Sequence, residues 1–300
     1  MRFLDAAAVG ALGPAAAVRA IRAALRDGLD PAADPPRAIA ELSAGQLLLM
    51  PSESRTAAGV KVVTVAPDNP ARNLPRVQAC YLLLDRETLA LRAVLDGTAL
   101  TTLRTPAVSV AAVLDRLPDR PLRVAVLGAG PQASAHVATL AAVRPLGSVG
   151  HLVRDPARTP LDAVRLGSAA AGDLLRSADV VVCATSARTP LFDSELVRAD
   201  AVVVAVGSHQ PDARELDASL LGRATVVVED VGTALREAGD VALAIAEGTL
   251  TAAELVPMRD VVTGARLPDP ERPLVFKSVG MAWQDLVVAE AVLAGSGRMA

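Results

Sequence analysis

The chain has 300 residues, 52% of them hydrophobic, which excludes a disordered protein and leaves room for two domains with substantial cores. Its 30 basic and 33 acidic residues nearly cancel, and the basic ones form no tract, so nucleic acid is excluded as the expected partner. No apolar run is long enough for a membrane span and Arg2 leads into no long apolar leader, so the expectation is a cytoplasmic protein that does not meet a membrane.

In chain order, Pro14 opens an amphipathic helix over 14–27 that Gly28 stops. Short β-compatible runs follow at 46–51, 59–67, 77–85 and 90–96, too close together for crossover helices, and predict an antiparallel sheet. A long helix is expected over 98–117, and "PDRP" at 118–121 reads as a linker. Beyond it the pattern changes to alternation. Strands at 123–127, 149–153, 180–184, 201–206 and 225–229, with helices at 131–143, 172–178, 217–221 and 232–238, predict a mostly parallel, doubly wound sheet. The run 275–295 reads as one long helix expected to pack on the first domain or at the junction. The fold class is therefore α/β, a Rossmann-type domain over 119–275 set into an α+β domain of residues 1–118 completed by 276–300.

Two residue types are informative by their scarcity. Cys80 and Cys183 both lie in apolar runs with no metal-ligand spacing, so buried thiols in a reducing compartment are expected and no metal site is. Only Lys61 and Lys277 are lysine; the other 28 basic residues are arginine. Both lysines stand beside apolar strand-like runs, where a compact ammonium or a shiftable proton is a reason to resist replacement by arginine. Snorkelling or a structural ion pair is the alternative for each.

The stretch "RVAVLGAGPQASAHVATL" over 123–140 places Gly128 and Gly130 between an apolar strand and a helix, the context of a dinucleotide turn. Gly128 allows the tight turn, Gly130 the approach of the pyrophosphate, and the amides at Gln132 and Ala133 meet its charge, with Ala133 in the packing role of a third glycine. At the next strand tip Arg154 stands first, with Asp155 behind it and Arg158 nearby, so NADP is expected ahead of NAD. Asp155 taking a ribose hydroxyl is the other reading. Thr185, Ser186, Gly207 and Ser208 follow later strands and are placed with the nicotinamide half, and Lys277 joins the cofactor group. His209, like His136 and His151, reads as a structural residue with no carboxylate assigned to it by spacing.

"GVKVV" at 59–63, "DG-x-x-LT-x-x-RT" at 96–105, "GAG-x-QA" at 128–133, "VGS" leading to "RELD", "EAGD" at 237–240 and "VFKSVG" at 275–280 together resemble the ornithine cyclodeaminase and mu-crystallin family. The resemblance implies a homodimer whose discontinuous substrate and dimerisation domain carries an inserted Rossmann domain. It implies an NAD(P)-dependent oxidoreductase acting on a cyclic imino acid or a small α-amino acid. A cyclodeaminase that releases ammonia with transient hydride transfer, and a mu-crystallin-like binder without turnover, are the alternatives. Carried over by position, Arg37, Lys61 and Arg104 hold the substrate carboxylate and nitrogen, with Lys61, Arg104 and Asp217 as the catalytic group and Asp217 as acid-base residue. A loop role for Arg37, an ion pair for Arg104 and an N-cap for Asp217 are the bland readings. Two departures stand out. The segment 155–170 is short where the family has a full helix and another strand, so the Rossmann domain is expected to be abbreviated. Pro106 replaces the usual alanine and is expected to kink or restart the helix beside Arg104.

Overall fold

Residues 1–297 are described in a computed structural model, and they fall into two units: Met1–Val108 with the chain from Met281 onward, and Ser109–Gly280. The first unit begins with β1 (Arg2–Leu4), α1 (Ala6–Gly10) and α2 (Pro14–Arg26). It continues with β2 (Ala38–Leu42), β3 (Gly45–Glu53), β4 (Ala57–Val65), β5 (Val77–Asp85), β6 (Leu91–Asp96) and α3 (Gly97–Val113), the helix in which the unit boundary falls. The strands form one sheet in the order β1-β6-β5-β4-β3-β2, antiparallel except that β1 lies parallel to β6. β4 alternates buried and half-buried residues along its length, so one face takes the core and the other faces outward. Strand β2 is exposed at every position, which is why no alternation announced it.

Helix α3 runs through Pro106 without a break, so the helix does not restart there. Every residue from Arg104 to Val113 is buried, and packing of that segment holds a helix that its proline disfavours.

The second unit is built from β7 (Leu122–Leu127), α4 (Pro131–Val143), β8 (Leu146–Val153), β9 (Ala163–Arg165), α5 (Ala169–Ser177), β10 (Val180–Cys183) and β11 (Val202–Ala205). It goes on through α6 (Ala218–Arg223), β12 (Thr225–Val228), α7 (Val231–Glu237), α8 (Gly239–Ala246), β13 (Val256–Pro257), α9 (Met258–Thr263) and β14 (Leu274–Lys277). All eight strands are parallel, in the order β13-β12-β14-β11-β10-β7-β8-β9. Strands β10, β11 and β14 are buried at every residue, as a sheet covered on both faces requires. The order reverses between β7 and β10, the switch point beside which ligands bind in such sheets.

Three sequence expectations change here. The run 275–295 is not one helix: "VFK" completes β14, paired with β11 and β12, and the helix starts only at Ala282. The second unit therefore extends from Ser109 to Gly280, taking residues on both sides of the expected 119–275. The abbreviation is also smaller than expected, because β9 supplies the missing strand and only the crossover helix before it has shrunk, to a single turn at Pro156–Arg158.

The last helix, α10 (Ala282–Ser296), belongs to the first unit and packs on α2, β3, β4 and β5. Its first eight residues are all buried, so it is a core helix on every side rather than an amphipathic one. Among the described residues no helix is long and apolar enough to cross a membrane, and no His, Cys, Asp and Glu cluster could hold a metal ion.

Candidate active site

In the first unit, Met50 on β3, Lys61 on β4 and Tyr81 on β5 stand side by side in register, so their side chains share one face of the sheet. Helix α10 covers that face. Lys61 is only 2% exposed, and its Nζ donates to Asp285 Oδ2 at 2.7 Å. Arg104 reaches the same carboxylate from α3, its Nε 3.3 Å from Asp285 Oδ1, and its Nη1 donates to Gln284 Oε1 at 2.7 Å. Arg37 is half-buried and within electrostatic reach of Lys61. Burial pushes the Lys61 ammonium down to about 8; Asp285 opposes that shift, and Arg104 and Arg37 add to it. The structure thus brings together Lys61 and Arg104, which the sequence singled out, around Asp285 and Gln284, which it did not.

Asp34, three residues before Arg37, ties the group to its surroundings. Its Oδ1 accepts from Ser52 Oγ at 2.6 Å and its Oδ2 from the Trp283 amide at 2.6 Å. The first turn of α10 has no side-chain cap of its own, and Asp34 fills that role from a loop far away in sequence. Burial raises the Asp34 carboxyl to about 6 despite these two donors.

In the second unit, Gly128 has φ +117°, and a Cβ there would lie 2.6 Å from the Ala184 carbonyl oxygen, so the turn after β7 requires glycine. Gly130 differs. Its φ of −86° suits any residue, and a Cβ would meet nothing within 4 Å, so what it keeps clear is open space in front of α4. The N-terminus of α4 carries no side-chain cap, Gln132 is half-buried, and Ala133 is fully buried against the sheet. A clear cradle at an uncapped helix start fits a dinucleotide pyrophosphate. At the tip of β8, Asp155 caps the turn 156–158 by accepting from the Ala157 amide, while Arg154 and Arg158 are exposed and Arg165 of β9 donates to the Arg154 carbonyl.

The loops after β10 and β11 share one buried carboxylate. Glu215 Oε1 accepts from the Thr185 amide at 2.9 Å and from its hydroxyl at 2.7 Å, and Oε2 accepts from the Gly207 amide at 2.7 Å. Gly207 is obligatory, since a Cβ would fall 2.0 Å from the Thr185 carbonyl oxygen. Ser186 is exposed beside this clamp, and the buried Ser208 hydroxyl donates to the Ala213 carbonyl.

Lys277 is placed differently from the expectation. Lys277 is not placed to touch a cofactor: its side chain has no exposure, and Nζ is spent on Asp240 Oδ2 at 2.9 Å and the Ser208 carbonyl at 2.6 Å. Asp240 in turn accepts from the Glu215 and Leu216 amides, so Lys277 is a strut behind the loops. Asp217 stands at the start of α6. Its Oδ1 accepts from the Leu220 amide and the Ser219 hydroxyl as the N-cap of α6, and Oδ2 faces the Ser194 amide. Within "RELD" it is Glu215 that bonds the loops after β10 and β11, a residue the sequence reading did not single out. Cys80 is also exposed rather than buried, because it alternates with the inward Tyr81 on β5.

A doubly wound parallel sheet with a glycine turn at its switch point, and a second unit with a buried cluster of cations around one carboxylate, are features of nicotinamide-dependent α/β proteins. The chain belongs to the ornithine cyclodeaminase/mu-crystallin family, whose family model matches residues 9–295. It is 34% identical over 269 residues to delta(1)-pyrroline-2-carboxylate reductase 2 of Burkholderia ambifaria, covering 84% of this chain and 81% of that protein. Among solved structures, the Thermococcus litoralis delta(1)-pyrroline-2-carboxylate reductase in complex with NADH and L-proline matches with TM-score 0.87 and 25% identity, over 100% of this chain and 98% of that one. An archaeal alanine dehydrogenase dimer with bound NAD matches with TM-score 0.84 and 26% identity, over 100% and 97%.

Proposed function

We propose that this protein is an NAD(P)H-dependent reductase of cyclic α-imino acids. The observation that carries the reading is the buried cluster in the first unit. Lys61 and Arg104 share the one carboxylate of Asp285, with Arg37 close enough to act on Lys61, where water is largely excluded, a setting for an anionic substrate. Arg37 and Arg104 hold the α-carboxylate, since guanidinium groups pair with carboxylates in a fixed planar geometry. Lys61 is a lysine able to release a proton close to neutral pH. Its Nζ gives that proton to the ring nitrogen as the carbon–nitrogen π pair becomes an N–H bond, and regains it from solvent. A reduced nicotinamide, when bound, supplies the hydride that the imine carbon takes up, so the imine is reduced and the cofactor oxidised. The names of the pyrroline-2-carboxylate reductases among the relatives support the same substrate class.

Incubating the protein with NADPH or NADH and Δ1-pyrroline-2-carboxylate should consume the reduced cofactor and yield the cyclic amino acid. Ammonia from ornithine with no net change in cofactor would instead establish a cyclodeaminase, and neither reaction would leave a binding protein.

The preferred cofactor in this proposal is NADPH. Arg154, Arg158 and Arg165 gather at the tips of β8 and β9 while Asp155 is occupied as a cap, an arrangement that suits a 2′-phosphate better than a free hydroxyl. Arg154→Asp should raise the dissociation constant of NADPH about tenfold more than that of NADH, the loss of a charge-assisted contact worth about 1.5 kcal/mol. Titration of both nucleotides by fluorescence decides the point, and equal weakening of the two would show that Arg154 does not read the phosphate. The role proposed for Glu215 is to hold the nicotinamide-side loops. Glu215→Gln leaves the Gly207 amide facing an amide donor, and both nucleotides are expected to bind about fivefold more weakly, roughly 1 kcal/mol.

We also place the protein in the cytoplasm as a homodimer. The outward face of the first sheet carries Pro51, Val60, Leu82, Val94 and Phe3 in one cross-strand row and Leu49 and Val62 in the next, an apolar surface that a second copy would cover. Light scattering that gives the mass of a single chain would exclude this.

A further inference from the structure

Lys61 and Arg104 come from β4 and α3, two elements that β5 and β6 separate in sequence. Both close on Asp285, which lies 224 residues beyond Lys61 in the first turn of α10 and is fully buried. Its two oxygens are divided between them, Oδ2 to Lys61 Nζ at 2.7 Å and Oδ1 to Arg104 Nε at 3.3 Å. The neighbouring Gln284, also fully buried, takes the remaining face of the Arg104 guanidinium through Oε1. Asp34 fixes that turn of α10 by accepting the Trp283 amide, and the same loop continues into Arg37. The bracket is therefore continuous from the Arg37 loop through α10 to both cations.

We propose that Asp285 is a positioning residue of the reaction, holding Lys61 Nζ as an aimed, charged donor and spacing it from Arg104 so that the two meet one substrate as a set. This rests on the reading of Lys61 as proton donor given above. Simple neutralisation of one buried lysine would need one carboxylate on one cation. Here one carboxylate serves two cations, and the pair is short and single-pointed on the lysine side, which an ammonium satisfies and a planar guanidinium does not. Lys61 is thereby explained as one of only two lysines in the chain, and the other, Lys277, meets a buried aspartate in the same way.

The test is Asp285→Asn, nearly isosteric and still offering an acceptor to Lys61. Removing the carboxylate charge should move the alkaline limb of kcat/KM for imine reduction to lower pH by about one unit or more, and lower kcat/KM at pH 7 about tenfold. Because the chain has two lysines, side-chain 15N labelling of lysine gives two Nζ signals, and the titration midpoint of one of them should fall with the limb. A lower rate with the limb and both signals unmoved would mean that Asp285 only stabilises the fold, and would overturn the proposal. A lysine midpoint that falls while the limb stays in place would keep the positioning and refute Lys61 as the donor, which separates the two failures. Should Asp285→Asn not fold, Asp285→Glu keeps the charge on a longer arm: the limb should stay where it is while kcat drops about tenfold, and unchanged kcat would overturn the proposal.

Discussion

Lys61→Arg is expected to lose kcat/KM for imine reduction about 100-fold or more, with folding and nucleotide affinity retained. Arginine keeps the positive charge facing Asp285 but cannot give up a proton, and its planar fork does not fit a single-point contact. Lys61 lies between Met50 and Tyr81 on a buried face, so the larger side chain also costs about 1–3 kcal/mol in packing, and rates should be compared well below the melting transition. The pH dependence of the unsubstituted protein supplies a second check. With the Lys61 ammonium pushed down to about 8, the protonated donor is present below that pH and is lost as pH rises through it, so the reduction rate should fall on the alkaline side. Stability runs the other way. The unfolded lysine titrates at 10.5, so between about 8 and 10.5 the unfolded chain binds more protons, and this group's unfavourable contribution to folding is relieved as pH rises. A falling rate in that window therefore reports chemistry and not unfolding of this group. Near-normal turnover of Lys61→Arg from pH 6 to 9 would return Lys61 to a structural role.

Gly130→Val should weaken binding of NADH and NADPH alike about 100-fold, roughly 2.7 kcal/mol, while the melting temperature stays within a degree or two. The separation follows from the local geometry. Gly130 has extended backbone with φ −86° and ψ 179°, which valine adopts readily, and no protein atom lies within 4 Å of the new Cβ. The added Cβ would project into the open space in front of α4. The same change at Gly128 could not separate the two effects, since its φ of +117° and the Ala184 carbonyl would strain any side chain. Isothermal titration with each nucleotide, alongside thermal unfolding without nucleotide, tests this. Unchanged affinity would mean that the cofactor does not cross this turn.

Asp217 and Glu215 are separated by one residue in "RELD", and nothing in the motif says which carboxylate turns inward. The answer depends on where α6 begins: Asp217 is used up at its start, while Glu215 faces the Thr185 and Gly207 amides across strands joined only in space. Asp285 was illegible for a similar reason. In sequence it is one acid in an apolar run, and its meaning comes from the packing of α10 on β4, which places it 2.7 Å from a lysine 224 residues away. What the sequence determined by itself was local: the β-α-β alternation, the two glycines after β7 and the turn residues, which follow from backbone preference and hydrophobic period, and the two lysines retained among 28 arginines, which composition alone reveals. Only the tertiary structure decided that both lysines are buried against aspartates, that "VFK" is a central strand rather than the start of a helix, and that Pro106 leaves α3 unbroken. Those outcomes are set by burial and by contacts between segments far apart in the chain, where packing overrides the preference of any short stretch.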